Sequence, residues 1–306
     1  MSGAVCSSLF QGVWIPLVTP FSAGQVDTDA LRRLVRYYRS AQVDGLVVCG
    51  STGEAAALDD AEQLQVLDTV VDEAQGLPVV MGLAGNHQGH VLQRLATFCA
   101  RPLAGVLTPA PYYIRPGQLG AQRYFQTLAD ASAVPLVLYD IPYRTGATLE
   151  LDTLLLLAGH GNIAAIKDCG GSFDKTVALI ADGRLQVMAG EDIQALSSLS
   201  MGATGMIAAA AHIRPDLFVT MYRAVRANEM DVARQLFHAL APIIRLVFAE
   251  PNPAPVKAYL ARQGLILDGL REPMLAASPA MSAELYRLVG TLDRFLLEYQ
   301  EGFVAA

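Results

Sequence analysis

Eight short apolar runs, each followed by a segment of helical period, constrain the fold of this chain more than any other feature. The runs are GVWIPLVTPF, GLVVCG, PVVMGLAG, AGVLTPAPYY, VPLVLYDIP, NIAAIKDCG, LQVMAGED and GATGMIAAAA. They are rich in β-branched residues and lack polar alternation, the pattern of strands covered on both faces. Amphipathic stretches lie between them. DTDALRRLVRYYRSAQ starts with Asp27 and Thr28 as cap candidates, and DDAEQLQVLDTVVDEAQG has Gly76 as its expected C-cap. GQLGAQRYFQTLADAS and LELDTLLLLAGHG follow the same pattern. Regular alternation of this kind predicts a parallel sheet, and eight units predict a closed (β/α)8 TIM barrel of the α/β class. An open doubly wound sheet would carry a GxGxxG turn after its first strand, and none is present. After residue 220 the runs stop and the pattern is helical. The expected division is a catalytic barrel over 1–225 and a C-terminal helical extension over 226–306.

Composition narrows the classes of function. The net charge is −7 and no basic patch stands out, which argues against a nucleic-acid partner. No apolar stretch reaches the length of a membrane span. The N-terminal residues lack a basic region followed by a long apolar core, so a cytoplasmic protein with reduced thiols is expected. Of the four cysteines, Cys6, Cys49, Cys99 and Cys169, none forms a CxxC pair. His87 and His90 are three apart but have no further ligands nearby in sequence. Neither a metal nor another cofactor is expected.

The basic residues hold the chemical clue. Only three of 22 are lysine: Lys167, Lys175 and Lys257. Unlike arginine, a buried lysine can lose its proton and become a nucleophilic amine. Lys167 ends the sixth apolar run, and active-site groups of a barrel sit at the C-terminal ends of its strands. The corresponding layer holds Ser51, Thr52 and Glu54, then Tyr112 and Tyr113, Tyr139 and Arg144, and Glu191 and Asp192. An enclosed lysine with a tyrosine one strand away suggests imine catalysis, in which the amine attacks a ketone and the tyrosine moves protons. Small residues in GSTGE would let backbone N–H groups approach a carboxylate. Spacing therefore reaches a Schiff-base lyase or aldolase without a substrate. Blander readings stand beside it. Arg144 could be an ion-pair partner of Asp140, Lys257 a structural residue opening a helix, and Cys49 and Cys169 small core residues.

The motifs add a resemblance. GSTGEAAAL (50–58), TPAPYYIRP (108–116), LYDIPYRTG (138–146), AAIKD (164–168), AGED (189–192) and EPNPAPVK (250–257) together resemble the pyruvate-dependent class I aldolase superfamily. That superfamily includes the dihydrodipicolinate synthases and N-acetylneuraminate lyases, and the resemblance runs from about residue 10 into the C-terminal region. It implies that Lys167 forms an imine with pyruvate and that Tyr139 donates and accepts protons over it. Thr52 would hold the pyruvate carboxylate. Ser51 would link Tyr139 to Tyr113, which in this family is lent across a subunit interface. Arg144 would meet the carboxylate of the second substrate, and Gly190 and Ile207 would line the pyruvate pocket. A homo-oligomer follows, expected as a tetramer built from dimers, with pyruvate and a small aldehyde as substrates.

YRTG places the chain nearest the dihydrodipicolinate synthases, which condense pyruvate with aspartate 4-semialdehyde on the route to lysine and diaminopimelate. Three positions depart from their pattern. Asp140 stands where asparagine is usual, Asp168-Cys169 where Glu-Ala is usual, and Ser51 where threonine is commoner. They leave open a relative acting on a sugar-acid or other 2-keto acid. The positions matching the lysine-inhibition site hold Asp60, Gln63 and His90, with Asn86 and Tyr112 retained. His90 replaces the acidic group, so inhibition by lysine is expected to be weak or absent, which titrating lysine into the assay decides. A non-catalytic homologue and a metal-dependent barrel aldolase are the readings from other classes.

Overall fold

A computed structural model describes residues 9–304, with side chains described through Arg294. Cys6 lies outside the described residues. The first strand, β1 (Gly12–Pro16), is followed by a small antiparallel hairpin, β2 (Phe21–Ser22) and β3 (Gln25–Val26). The remaining strands are β4 (Gly45–Val48), β5 (Val79–Gly82), β6 (Gly105–Pro109), β7 (Leu136–Asp140), β8 (Ile163–Asp168), β9 (Gln186–Ala189) and β10 (Gly205–Ile207). All barrel neighbours pair in parallel, and β1 closes the ring by pairing with both β10 and β4. Each of the eight apolar runs supplies one barrel strand, and the fold is the expected (β/α)8 barrel. The hairpin is the one strand pair that the runs do not announce.

The helices are α1 (Thr28–Ser40), α2 (Asp60–Ala74), α3 (Gln88–Phe98), α4 (Gln118–Ala131), α5 (Pro142–Thr145), α6 (Leu151–Leu157), α7 (Phe173–Asp182), α8 (Ala195–Ser200), α9 (Pro215–Arg226), α10 (Met230–Val247), α11 (Ala254–Arg262) and α12 (Pro279–Val304). Helix α1 shows why they lie on the sheet. Leu31, Leu34, Val35 and Tyr38 recur on one helical face and are all buried. Each such side chain contributes about 1.5–3 kcal/mol by leaving water. The Asp27 carboxylate accepts from the Ala30 N–H at 2.9 Å and starts the helix, as expected. Helix α2 opens on a capping box between Asp59 and Glu62. It ends one residue earlier than expected: Gln75 is the left-handed cap, with φ 46°, and Gly76 follows it. Helices α10, α11 and α12 pack on one another beyond the last barrel strand.

The barrel interior is a separate apolar cluster that draws a side chain from each of the eight barrel strands, from Trp14 on β1 to Ile207 on β10. Strand alternation then fixes the catalytic layer. Val137 and Tyr139 share the inner face of β7, and Ala165 and Lys167 share the inner face of β8. Asp140 and Asp168 fall on the outer face, toward the helices.

Candidate active site

The register of β7 against β8 pairs Tyr139 with Lys167 and Asp140 with Asp168. Tyr139 and Lys167 therefore meet inside the barrel mouth. The Lys167 Nζ lies 4.5 Å from the centre of the Tyr139 ring, a distance at which the ring face attracts a cation. Both side chains are buried. Burial pushes the Tyr139 phenol well above its usual value; the Cys169 thiol adds to this, and the Ser51 hydroxyl beside it pulls the other way. The phenol keeps its proton at neutral pH, as a donor must.

All three lysines are buried, and two are paired with buried carboxylates. Lys175, on α7, bonds Asp140 and donates to the Leu149 carbonyl at 3.0 Å. Lys257, in the first turn of α11, pairs with Glu54 at 2.5 Å. Lys257 is thus structural, as the sequence suggests. Among the described residues Lys167 has no ion-pair partner, and its amine faces a narrow recess. Thr52, Tyr139, Gly190, Asp192, Ile207 and Asn252 contribute to the lining of that recess. A neighbouring cavity of about 220 Å³ opens beside Ser51, Tyr139, Arg144 and Tyr112. A larger cavity of about 590 Å³ sits at the other end of the barrel, near His160, Arg184 and Gln186, and contains none of these residues.

The small residue at 190 has a steric cause. A Cβ on Gly190 would collide with the Cys169 sulfur and come within 2.9 Å of the Lys167 Cγ. Asp192 is buried and accepts from the N–H groups of Ala209 (3.3 Å) and Ala210 (2.6 Å), tying the ends of β9 and β10 together. Burial raises its carboxyl to about 7, against the pull of the Ala210 N–H and Lys167. Cys49 and Cys169 are free and buried, and burial raises both thiols, Cys49 to about 12. They stay protonated, in keeping with their reading as core residues.

Of the eight residues named from sequence, Lys167, Tyr139, Ser51, Thr52, Arg144, Gly190 and Ile207 converge on these two adjoining spaces. Tyr113 does not. It is 88% exposed, in a left-handed conformation with φ 68°, beside exposed Ile114. Arg144 is exposed at the rim with its guanidinium 5.9 Å from the Tyr143 ring centre. It does not pair with Asp140, because Lys175 occupies that carboxylate. Asp168 is likewise held from outside, by the Thr176 hydroxyl and by the Gly170 N–H at 2.9 Å. The two unusual aspartates thus face helix α7 and do not shape the recess.

Four contributors were not singled out from sequence: Tyr143, Ala209, Phe248 and Asn252. Asn252 and Phe248 come from the segment around EPNPAPVK and reach the recess from the C-terminal helices. Their signal was the motif itself, which places no side chain until the chain is folded. The matched regulatory positions are engaged as well. His90 pairs with Asp60 at 2.9 Å, and the Gln63 side-chain amide oxygen, Oε1, accepts from the Arg94 guanidinium. His87 caps α3 by accepting from the His90 N–H at 3.0 Å. Among the described residues no helix is long and apolar enough to cross a membrane.

The chain is similar to known proteins along most of its length. The chain is 33% identical over 283 residues to 4-hydroxy-tetrahydrodipicolinate synthase 2 of Clostridium acetobutylicum, covering 91% of this chain and 99% of that protein. It is 36% identical over 280 residues to 4-hydroxy-tetrahydrodipicolinate synthase of Trichlorobacter lovleyi, covering 90% and 97%. The crystal structure of dihydrodipicolinate synthase from Aquifex aeolicus superposes with a TM-score of 0.90 at 29% identity, covering 93% of this chain and 98% of that one. The model of the Dihydrodipicolinate synthetase family matches residues 9–292. With a lysine at the strand end, a tyrosine over it and that match along nearly its whole length, the chain belongs to the dihydrodipicolinate synthetase family.

Proposed function

We propose that this chain is a Schiff-base aldolase that condenses pyruvate with aspartate 4-semialdehyde, a 4-hydroxy-tetrahydrodipicolinate synthase. One observation carries the reading: of three buried lysines, only Lys167 has no ion-paired carboxylate among the described residues, and it faces a recess beside a buried tyrosine. An amine held in this way can attack a ketone, whereas Lys175 and Lys257 are engaged.

The steps follow from the residues present. The Lys167 amine adds to the pyruvate C2 carbonyl, and water leaves to give the protonated imine. Tyr139 supplies and retrieves the protons, with Ser51 beside its hydroxyl. The imine withdraws electrons, so the pyruvate methyl loses a proton and becomes an enamine carbon. That carbon attacks the aldehyde. The amine of the second substrate then closes onto the imine carbon and releases Lys167. Thr52 holds the pyruvate carboxylate, Gly190 and Ile207 shape its pocket, and Arg144 at the rim meets the carboxylate of the aldehyde. The protonated imine formed on Lys167 is the electron sink, so no further cofactor enters the reading. Tyr113 completes the site from a neighbouring subunit in a tetramer built as a dimer of dimers, and its near-full exposure in one chain supports that role. The same reading places the protein in the cytoplasm.

The test is the initial rate with pyruvate and aspartate 4-semialdehyde, the product being reduced by a coupling enzyme with NADPH, set against the rate with sugar-acid aldehydes. Turnover with aspartate 4-semialdehyde is expected. Turnover with the sugar-acid aldehydes alone would make the chain a sister aldolase.

A further inference from the structure

Thr52 is buried in the recess and has an unusual neighbour. Its Oγ1 accepts a hydrogen bond of 2.9 Å from the Asn252 side-chain amide, 200 positions away in sequence. The other end of that amide, Oδ1, is buried without a hydrogen-bond partner among the described residues. A hydroxyl has one proton to give and two lone pairs to offer. An amide N–H on one lone pair occupies an acceptor position and leaves the O–H proton to be donated elsewhere. The free direction is the recess that holds Lys167, which both residues line. A donor so aimed suits an anionic ligand and repels none of its charge.

The arrangement is braced. Loop 50–54 carries left-handed Glu54 (φ 55°), whose carboxylate pairs with Lys257 at 2.5 Å and accepts from the Arg271 N–H at 3.1 Å. The Gly53 carbonyl accepts from the Thr19 hydroxyl at 2.7 Å. The C-terminal region therefore grips the loop at Thr52 and again at Glu54. Neither partner of the Asn252–Thr52 bond can easily drift from the other.

We propose that Asn252 is a positioning residue: its amide donates to Thr52 and so directs the Thr52 hydroxyl proton at the carboxylate of bound pyruvate. This rests on the reading of Thr52 as the carboxylate-holding group. It assigns the C-terminal helical region a part in pyruvate affinity, with little part in the later chemistry. The opposite amide orientation would take the Thr52 proton for itself, and Asn252→Asp imposes that situation because a carboxylate only accepts.

The experiment measures the pyruvate concentration giving half-maximal borohydride-trapped adduct, together with KM for pyruvate and kcat, for the full-length wild type, N252A, N252D, T52A and T52A/N252A. The N252D requirement for pyruvate should rise about tenfold or more, and that of N252A less, with kcat at saturation changed by no more than about threefold. In the T52A background N252A should add nothing further, since the effect passes through the hydroxyl. Wild-type affinity in both N252A and N252D would overturn the proposal. So would a full additional loss in T52A/N252A, which would mean that Asn252 acts independently of Thr52. If the wild type trapped no pyruvate, the underlying reading would fail and the proposal with it, an outcome distinct from the other two.

Discussion

Replacing Lys167 with arginine should lower turnover at least about a thousandfold while leaving the fold intact. A guanidinium stays protonated at any working pH and offers no neutral amine to a ketone. A guanidinium can also lie over the Tyr139 ring, where the Lys167 Nζ now sits 4.5 Å from the ring centre, and Lys167 has no ion pair among the described residues to lose. Stability should therefore change little, and thermal melting of the variant beside its kinetics separates the two effects. Retention of a tenth or more of wild-type turnover by well-folded Lys167→Arg would remove the amine from the mechanism.

The second large effect is on stability. Lys175→Met should cost about 3–5 kcal/mol, the range for removing one partner of a buried ion pair. Asp140 is 1% exposed, and Lys175 is its only charged partner among the described residues; the Leu149 N–H, at 3.3 Å, is its other contact. Burial already raises the Asp140 carboxyl above its usual value, against the pull of Lys175. Space is tight there, since a Cβ on Gly170 would come within 2.6 Å of the Lys175 Nζ. Adding Asp140→Asn to Lys175→Met should recover most of the loss, because an amide tolerates burial without a counter-charge. Urea unfolding of wild type, single and double variants reads this out. A single variant as stable as the wild type, or a double variant no better than the single, would contradict the account. The pair also explains the departure at 140: an aspartate can stand where asparagine is usual because helix α7 brings a lysine to it.

Much of this was legible in the sequence, for local reasons. Apolar runs without polar alternation gave eight strands because both faces of a parallel barrel sheet are covered. Lys167 and Tyr139 could be placed at the mouth because each ends such a run, and period-two alternation puts them on the inner face with Ala165 and Val137. What stayed hidden was long-range partnership. The rarity of lysine drew notice to Lys175, but nothing in the spacing paired it with Asp140, so Arg144 was the nearer candidate. The Asn252 bond to Thr52 joins two motifs that could each be read but not joined. The hairpin at 21–26 has only two residues per strand, too short for any period to show. The end of α2 moved from Gly76 to Gln75 because two successive residues there take positive φ, and either could cap the helix.

Locating the adduct tests the role of Lys167 most directly. The protein is incubated with pyruvate, reduced with borohydride, digested and mapped by mass spectrometry. The pyruvate-derived group is expected on the peptide that carries Lys167, with unmodified peptides at Lys175 and Lys257. An adduct on Lys175 or Lys257, or none on any lysine, would contradict that role.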